Sequence, residues 1–169
     1  MVKRAKRRLA QSSLLIIAEG PIDKAFLEHL KDLYDSRHSG QRIKIEAGDG
    51  GSPRDVIKKA LGWQQIAYDK KYVLIDDDVM LSASDRKLAK NKGIQILQST
   101  PVCLEGMILR VLKQKAPATN KVCKSVFHPM LTGKPNSKSS YKAVLTKEIF
   151  DECEDNVIQN LIRIMKNEH

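Results

Sequence analysis

The chain has 169 residues, a length that fits one domain and allows a sizeable hydrophobic core. Hydrophobic residues make up 41% of the sequence, which excludes a compositionally disordered chain, and aromatic residues make up only 5%, which argues against a surface of aromatic platforms for stacking bases. The 30 basic and 20 acidic residues give a net charge of +10, so the expected partner is a polyanion: nucleic acid first, an anionic membrane second.

The N-terminus is strongly basic. Such an arm either neutralises nucleic-acid phosphates or is simply a solvated terminus, and the sequence leaves both interpretations open. The apolar run that follows is too short for a signal peptide, and no window approaches the roughly 20 apolar residues of a membrane span. We therefore expect a cytoplasmic protein without a membrane segment. The basic residues of the arm are Lys3, Arg4, Lys6, Arg7 and Arg8.

Strands and helices alternate over the first two thirds of the sequence. The first and third predicted strands are short, continuous apolar runs, which are typical of strands buried on both faces of a sheet. Because strands that alternate with helices form parallel sheets with right-handed crossovers, we predict an α/β fold with a four-stranded parallel sheet flanked by helices. Predicted strands cover residues 14–18, 42–47, 72–75 and 94–98, and predicted helices cover about 22–34, 53–68, 84–92 and 102–113.

The last third of the chain has a different composition. It begins with a stretch rich in Lys, Ser, Thr and Asn that contains three prolines, which predicts an irregular segment. A final amphipathic stretch predicts one helix over residues 146–166. The predicted organisation is a basic arm at 1–12, an α/β domain at 13–113, an irregular segment at 114–145, and a C-terminal helical extension at 146–169 that packs on the same domain.

Acidic side chains follow two of the predicted strands. Glu19 comes directly after the first strand, and Asp76, Asp77 and Asp78 come after the third. Ligands of open parallel sheets bind beyond the carboxyl ends of the strands, and clustered carboxylates repel one another unless a cation is present. Side chains alternate along extended backbone, so Asp76 and Asp78 point one way and Asp77 another. Glu19, Asp76 and Asp78 are therefore predicted ligands of Mg²⁺ or Mn²⁺, although acids after a strand can also merely cap the next helix.

Four sequence segments carry a resemblance to a known family. LLIIAEGPIDKAFLEHL and YVLIDDDV resemble the two signature motifs of Toprim domains, a Glu-Gly after the first strand and a later Asp-x-Asp. AGDGGSPRDVIKKA and STPVCLEGMILRVL are similar to further segments of OLD-family nucleases and RloB-like proteins associated with defence. The resemblance covers about residues 13–113. It implies a Toprim (Rossmann-like) fold, with Glu19 as general acid/base or metal ligand and Asp76 and Asp78 as magnesium ligands.

Further candidate residues have weaker signals. Lys138 and Lys142 are candidates for holding phosphate, although solvated surface charges are the simpler interpretation. The glycine loop at residues 48–51 either brings backbone amides to a phosphate or is a plain turn before a helix. Four more acids are candidates for supporting the metal site, and two of them also suit the first turn of a helix. These acids are Asp23, Asp49, Asp77 and Glu105.

The leading hypothesis is a metal-dependent nuclease that hydrolyses phosphodiester bonds of DNA or RNA. The alternative is a non-catalytic nucleic-acid-binding or regulatory subunit. Since OLD nucleases usually carry an ATPase domain, an ATPase or another protein partner is an open expectation, as is a homodimer. A phosphoacceptor receiver domain is a third hypothesis, but the first strand ends in Glu-Gly rather than in an acidic pair, which fits that class poorly.

Overall fold

The computed structural model describes residues 12–36, 38–62 and 67–168. All five basic residues of the predicted N-terminal arm lie outside these ranges. None of the helices in the described part of the chain is long and apolar enough to cross a membrane.

The core of the molecule is a parallel sheet of four strands. Their order across the sheet is β2-β1-β3-β4, so the first and third strands are direct neighbours. This confirms the predicted α/β class with a four-stranded parallel sheet, and the arrangement is consistent with a Rossmann-like fold. The strands are β1 (Ser12–Ala18), β2 (Gln41–Ala47), β3 (Lys70–Asp76) and β4 (Ile94–Ser99).

Helices cover both faces of the sheet. One face of β1 and β3, which includes Ile16 and Leu74, packs in the larger hydrophobic cluster with the first helix and the C-terminal helices. The opposite face, which includes Ile17 and Val73, packs against the second and third helices. The helices are α1 (Pro21–Tyr34), α2 (Pro53–Gly62), α3 (Ala83–Asn91), α4 (Leu104–Val111), α5 (Asn120–Phe127), α6 (Lys147–Asp151) and α7 (Asn156–Lys166).

The segment predicted to be irregular, 114–145, contains regular structure. Helix α5 begins after Thr119, whose side-chain oxygen accepts a hydrogen bond from the backbone N–H of Val122 at 3.4 Å. Cys123 and Phe127, four residues apart, are fully buried. Two 3₁₀ turns follow, at His128–Met130 and Lys138–Tyr141. The composition of the segment did not predict α5, because only two of the apolar residues in this short helix face the core.

The C-terminal extension is helical, as predicted, but it is not one helix. Helix α6 ends at Asp151, and α7 begins after Asp155. The carboxylate of Asp155 accepts hydrogen bonds from the backbone N–H groups of Val157 at 3.0 Å and Ile158 at 3.1 Å. A carboxylate in this position satisfies two of the amides that every helix leaves unpaired at its N-terminus, and it therefore favours a new helix start.

We expect Asp155→Ala to lower the free energy of unfolding by about 1 kcal/mol, because the two amides at the start of α7 lose their acceptor. Asp155→Asn keeps a side-chain oxygen and should recover most of the loss. Urea denaturation followed by circular dichroism measures both variants, with Glu154→Ala as the matched control on the exposed neighbour. Equal stability of Asp155→Ala and Glu154→Ala would contradict the capping role.

Candidate active site

A cleft opens at the carboxyl ends of the neighbouring strands β1 and β3. Residue Ala18 of β1 pairs with Leu74 of β3, so the residues that follow each strand emerge at the same edge of the sheet. This is the point where the strand order reverses, which is where open α/β sheets bind ligands. The cleft has a volume of about 230 Å³, and its ionisable and amide-bearing lining residues are Glu19, Asp23, Asp76, Glu105, Asn120 and Lys124.

Glu19 and Asp76 are tied together by the backbone. The N–H of Asp76 donates a hydrogen bond to Oε2 of Glu19 at 2.9 Å. The carboxylate of Asp76 is 8% exposed, and its Oδ1 accepts a hydrogen bond from the N–H of Leu104 at 2.9 Å. Leu104 is the first residue of α4, so the positive end of that helix faces Asp76. The two predicted ligands thus lie together because β1 and β3 are neighbouring strands.

The chain reaches α4 through a tight turn. Val102 has a φ of 67°, in the left-handed region that β-branched residues rarely adopt. The turn folds back onto the first turn of the helix, where a side chain on Gly106 would collide with the carbonyl oxygen of Pro101. Glycine is therefore required at position 106, and this close packing aims the N–H of Leu104 at the cleft.

A second close approach brings the loop after β2 to the cleft. The N–H of Gly48 donates to the carbonyl of Ala18 at 2.6 Å, and a Cβ at this position would lie 2.7 Å from the carbonyl oxygen of Glu19. Gly48 thus allows two backbones to touch. Asp49, by contrast, points away: its side chain is 92% exposed and forms an ion pair with Lys59 at 3.0 Å. The structure does not bring Asp49 to the acidic cluster.

Asp23 and Glu105 complete the acidic wall of the cleft. Asp23 accepts a hydrogen bond from the N–H of Gly20 at 3.1 Å, so it caps α1 and lines the cleft at the same time. Glu105 is only 2% exposed, and its Oε1 lies 2.8 Å from Nε2 of His128. This pairing was not predicted from the sequence, because His128 lies in the segment predicted to be irregular.

Two of the carboxylates in the cleft, Asp76 and Asp23, have a raised pKa. Burial raises the pKa of Asp76 to about 8, and the negative charges of Asp23 and Glu19 act in the same direction. Burial, followed by the charge of Glu105, raises the pKa of Asp23 to about 7. Lys124 is the one basic side chain among the described residues that line the cleft. The cluster is therefore costly to ionise when no cation is bound.

Asp77 and Asp78 continue the chain after β3 and are both exposed. Nδ2 of Asn120 donates to Oδ2 of Asp78 at 2.8 Å and approaches Oδ2 of Asp76 at 3.5 Å. Asp77 faces away from this group and lies 3.4 Å from the side-chain amide of Gln98. Asp76 and Asp78 thus share one partner, but the backbone turns at Asp77 and Asp78, so this arrangement does not arise from the strand alternation that the sequence predicted.

The two lysines proposed from the sequence do not lie at the cleft. Lys138 forms an ion pair with Asp32 of α1 at 2.7 Å, and Lys142 is exposed and does not line the cleft. Lys124 and Asn120, which do line it, stand four residues apart on α5. Recognising the Thr119 cap and the spacing of Cys123 and Phe127 as a helix would have placed these two side chains on one face.

The chemistry of the donor set suits a hard divalent cation, since Glu19, Asp76 and Asp78 offer carboxylate oxygens. Within the described ranges, no three His, Cys, Asp or Glu side chains are grouped as a formed metal centre would require. Each of these three carboxylates already accepts a hydrogen bond from an amide. Glu19 accepts from the N–H of Asp76, Asp76 from the N–H of Leu104, and Asp78 from the side chain of Asn120. A cation would have to use the remaining oxygens or displace the side-chain amide.

Comparison of the chain with protein-family models, with curated proteins and with solved structures found no significant match.

In EDTA, we expect the stability of the protein to fall as the pH rises from 6.5 to 8.5. The pKa of Asp76 is about 8 and that of Asp23 about 7 in the fold, against about 4 in the unfolded chain. In this window the folded state holds protons that the unfolded state has lost, so each increase in pH favours unfolding. Thermal denaturation at several pH values measures the slope.

Asp76→Asn cannot ionise and should flatten this pH dependence, whereas Asp77→Asn, which changes an exposed carboxylate, should leave it unchanged. The comparison between variants cancels the contribution of groups elsewhere, including His29, whose pKa is lowered by burial. An unchanged slope in Asp76→Asn would show that this carboxylate is ionised in the fold at neutral pH.

Proposed function

We propose that this protein hydrolyses phosphodiester bonds of nucleic acid with the help of Mg²⁺ or Mn²⁺ bound by Glu19, Asp76 and Asp78. The observation that carries the proposal is the meeting of Glu19 from β1 with Asp76 from β3 at the strand-order switch point, where burial and neighbouring carboxylates raise the pKa of Asp76. Such a cluster is costly to maintain in a fold unless it binds a cation. The Toprim-like order of motifs supports the same proposal.

Each of the three carboxylates has a distinct position. Asp76 is buried and held by the N-terminus of α4, while Asp78 is exposed and bonded to Asn120, which lines the cleft. One oxygen of Glu19 is fixed by the N–H of Asp76, which leaves the other to orient a water molecule and accept its proton. A bound divalent ion supplies charge neutralisation on the phosphoryl oxygens, which a set of carboxylates cannot provide.

The proposal for a nucleic-acid substrate rests on charge. The chain carries a net charge of +10 although acidic side chains predominate in its cleft, so the excess positive charge lies elsewhere in the chain. Lys124 lines the same cleft, and its ammonium group would make a charge-assisted contact to a phosphate bound there. The predicted basic arm would add affinity that depends on salt. A partner protein or a second copy stays a prediction.

The direct test incubates pure protein with plasmid DNA, single-stranded DNA and structured RNA in Mg²⁺, Mn²⁺ or EDTA. We expect cleavage that needs the metal and that falls at least about 100-fold in Glu19→Ala and in Asp76→Ala, because each removes a group that acts on the reacting phosphate or water. Asp77→Ala, on the neighbouring exposed aspartate, is the matched control and should cleave like the wild type.

Absence of cleavage on all three substrates would contradict the nuclease proposal. If the protein then still bound nucleic acid with an affinity that fell with salt and survived Glu19→Ala, the alternative of a non-catalytic binding or regulatory subunit would take its place.

Lys124 should contribute to cleavage more than the two lysines proposed from the sequence, because it lines the cleft and they do not. We expect Lys124→Ala to lower kcat/KM for cleavage by about 10-fold or more, since a charge-assisted contact to phosphate is lost. Lys142→Ala, which removes an equal charge outside the cleft, is the control for general electrostatic attraction. Equal effects of the two substitutions at several salt concentrations would mean that Lys124 contributes only to the overall charge.

A further inference from the structure

We infer that Asn120 is a ligand of the proposed metal site, and that its side-chain amide rotates when the cation binds. The inference rests on the metal site of the proposed function and adds to it a residue from outside the sequence motifs. Asn120 is the first residue of α5, fixed in place by the Thr119 cap, and it lines the cleft beside Asp76.

The amide nitrogen of Asn120 occupies a position suited to a metal ligand. It lies 2.8 Å from Oδ2 of Asp78 and 3.5 Å from Oδ2 of Asp76. In an octahedral site with metal–oxygen distances of about 2.1 Å, neighbouring ligand atoms are about 3.0 Å apart. The end of the Asn120 side chain therefore stands next to both aspartates at nearly the spacing of ligands around one ion.

An NH₂ group in this position neutralises carboxylates in part but cannot coordinate a cation, since its nitrogen has no available lone pair. Rotation of the amide by half a turn exchanges the nitrogen with Oδ1. The carbonyl oxygen of an Asn side chain is a good ligand for Mg²⁺ or Mn²⁺. Without a cation the nitrogen is preferred beside the two aspartates, because it donates hydrogen bonds to them, and beside a cation the oxygen is preferred.

The other end of the same side chain supports this exchange. Oδ1 of Asn120 is buried and has no hydrogen-bond donor among the described residues. Buried polar atoms without a partner are rare in folded proteins and are costly. The orientation with the nitrogen towards the aspartates thus satisfies the carboxylates at the expense of Oδ1, and rotation would break no hydrogen bond at that atom. Cation binding would give it a partner.

A purely structural role is the competing explanation, in which Asn120 only ties α5 to the loop after β3. The two roles differ in what happens to metal affinity. A structural tie makes every substitution at position 120 act through stability alone. A ligand makes the effect depend on whether the new side chain carries an oxygen.

The experiment measures Mn²⁺ binding by isothermal titration calorimetry and by electron paramagnetic resonance for wild type, Asn120→Asp and Asn120→Leu. Asn120→Asp supplies a charged oxygen without an NH₂ group, and we expect it to bind Mn²⁺ at least about 10-fold more tightly. Asn120→Leu has similar size and no oxygen, and we expect binding at least about 10-fold weaker. Ser125→Asp adds the same charge at an exposed position of α5 and should bind like the wild type.

Stability provides a second readout that does not depend on activity. In EDTA, Asn120→Asp places a third carboxylate beside Asp76 and Asp78, so its Tm should fall below that of the wild type. Saturating Mn²⁺ should reverse this order. A lower Tm in both conditions, or unchanged Mn²⁺ affinity in both variants at position 120, would overturn the inference. If Asn120→Leu proves too unstable to purify, the result for Asn120→Asp against Ser125→Asp decides.

The controls separate this inference from the proposed function. Wild-type binding of Mn²⁺ that is lost in Asp76→Asn but insensitive to position 120 would leave the metal site in place and remove Asn120 from it. Absence of Mn²⁺ binding by the wild type would overturn the metal site itself, and the role of Asn120 with it.

Discussion

The pairing of β1 with β3 is the constraint on which the candidate site depends. Because the two strands are parallel and adjacent, with Ala18 opposite Leu74, the residues after them leave the sheet at one edge. The helix that follows β1 packs on one face of the sheet and the helix that follows β3 packs on the other, so the edge between the strands stays open. A change in the order of these two strands would separate Glu19 from Asp76 by a strand width or more.

Three of the acids gathered at that edge each have a different hydrogen-bonding partner. Asp76 is bonded to the N–H of Leu104, Glu105 to the imidazole of His128, and Asp78 to the side-chain amide of Asn120. The backbone at Val102 is strained to direct α4 at the cleft, and strain of this kind persists only where the surrounding packing fixes it. These partners reduce the repulsion between the carboxylates without removing it, which is the electrostatic condition that favours a bound cation.

The C-terminal third of the chain is part of the cleft and not a separate appendage. The ring centroids of Tyr141 and Phe150 each lie 6.2 Å from that of Phe26 on α1, so this segment is fixed to the core. In this segment, α5 and the 3₁₀ turn after it place Asn120, Lys124 and His128 beside the acids of the cleft. The carboxylates thus come from the α/β unit, while the three side chains around them come from the segment that follows it.

The sequence by itself determined the α/β class, the strands, and the placement of Glu19 and Asp76 at strand ends, because these follow from local apolar runs and from the position of acids directly after them. It did not determine the orientation of Asp77 and Asp78, because β3 ends at Asp76 and the chain turns after it. Only the tertiary structure decided the partners of these acids. Glu105 and His128 are 23 residues apart, and Asp76 and Asn120 are 44 apart. Contacts across such distances depend on how α5 packs against α4, and a local pattern of residues does not contain that information.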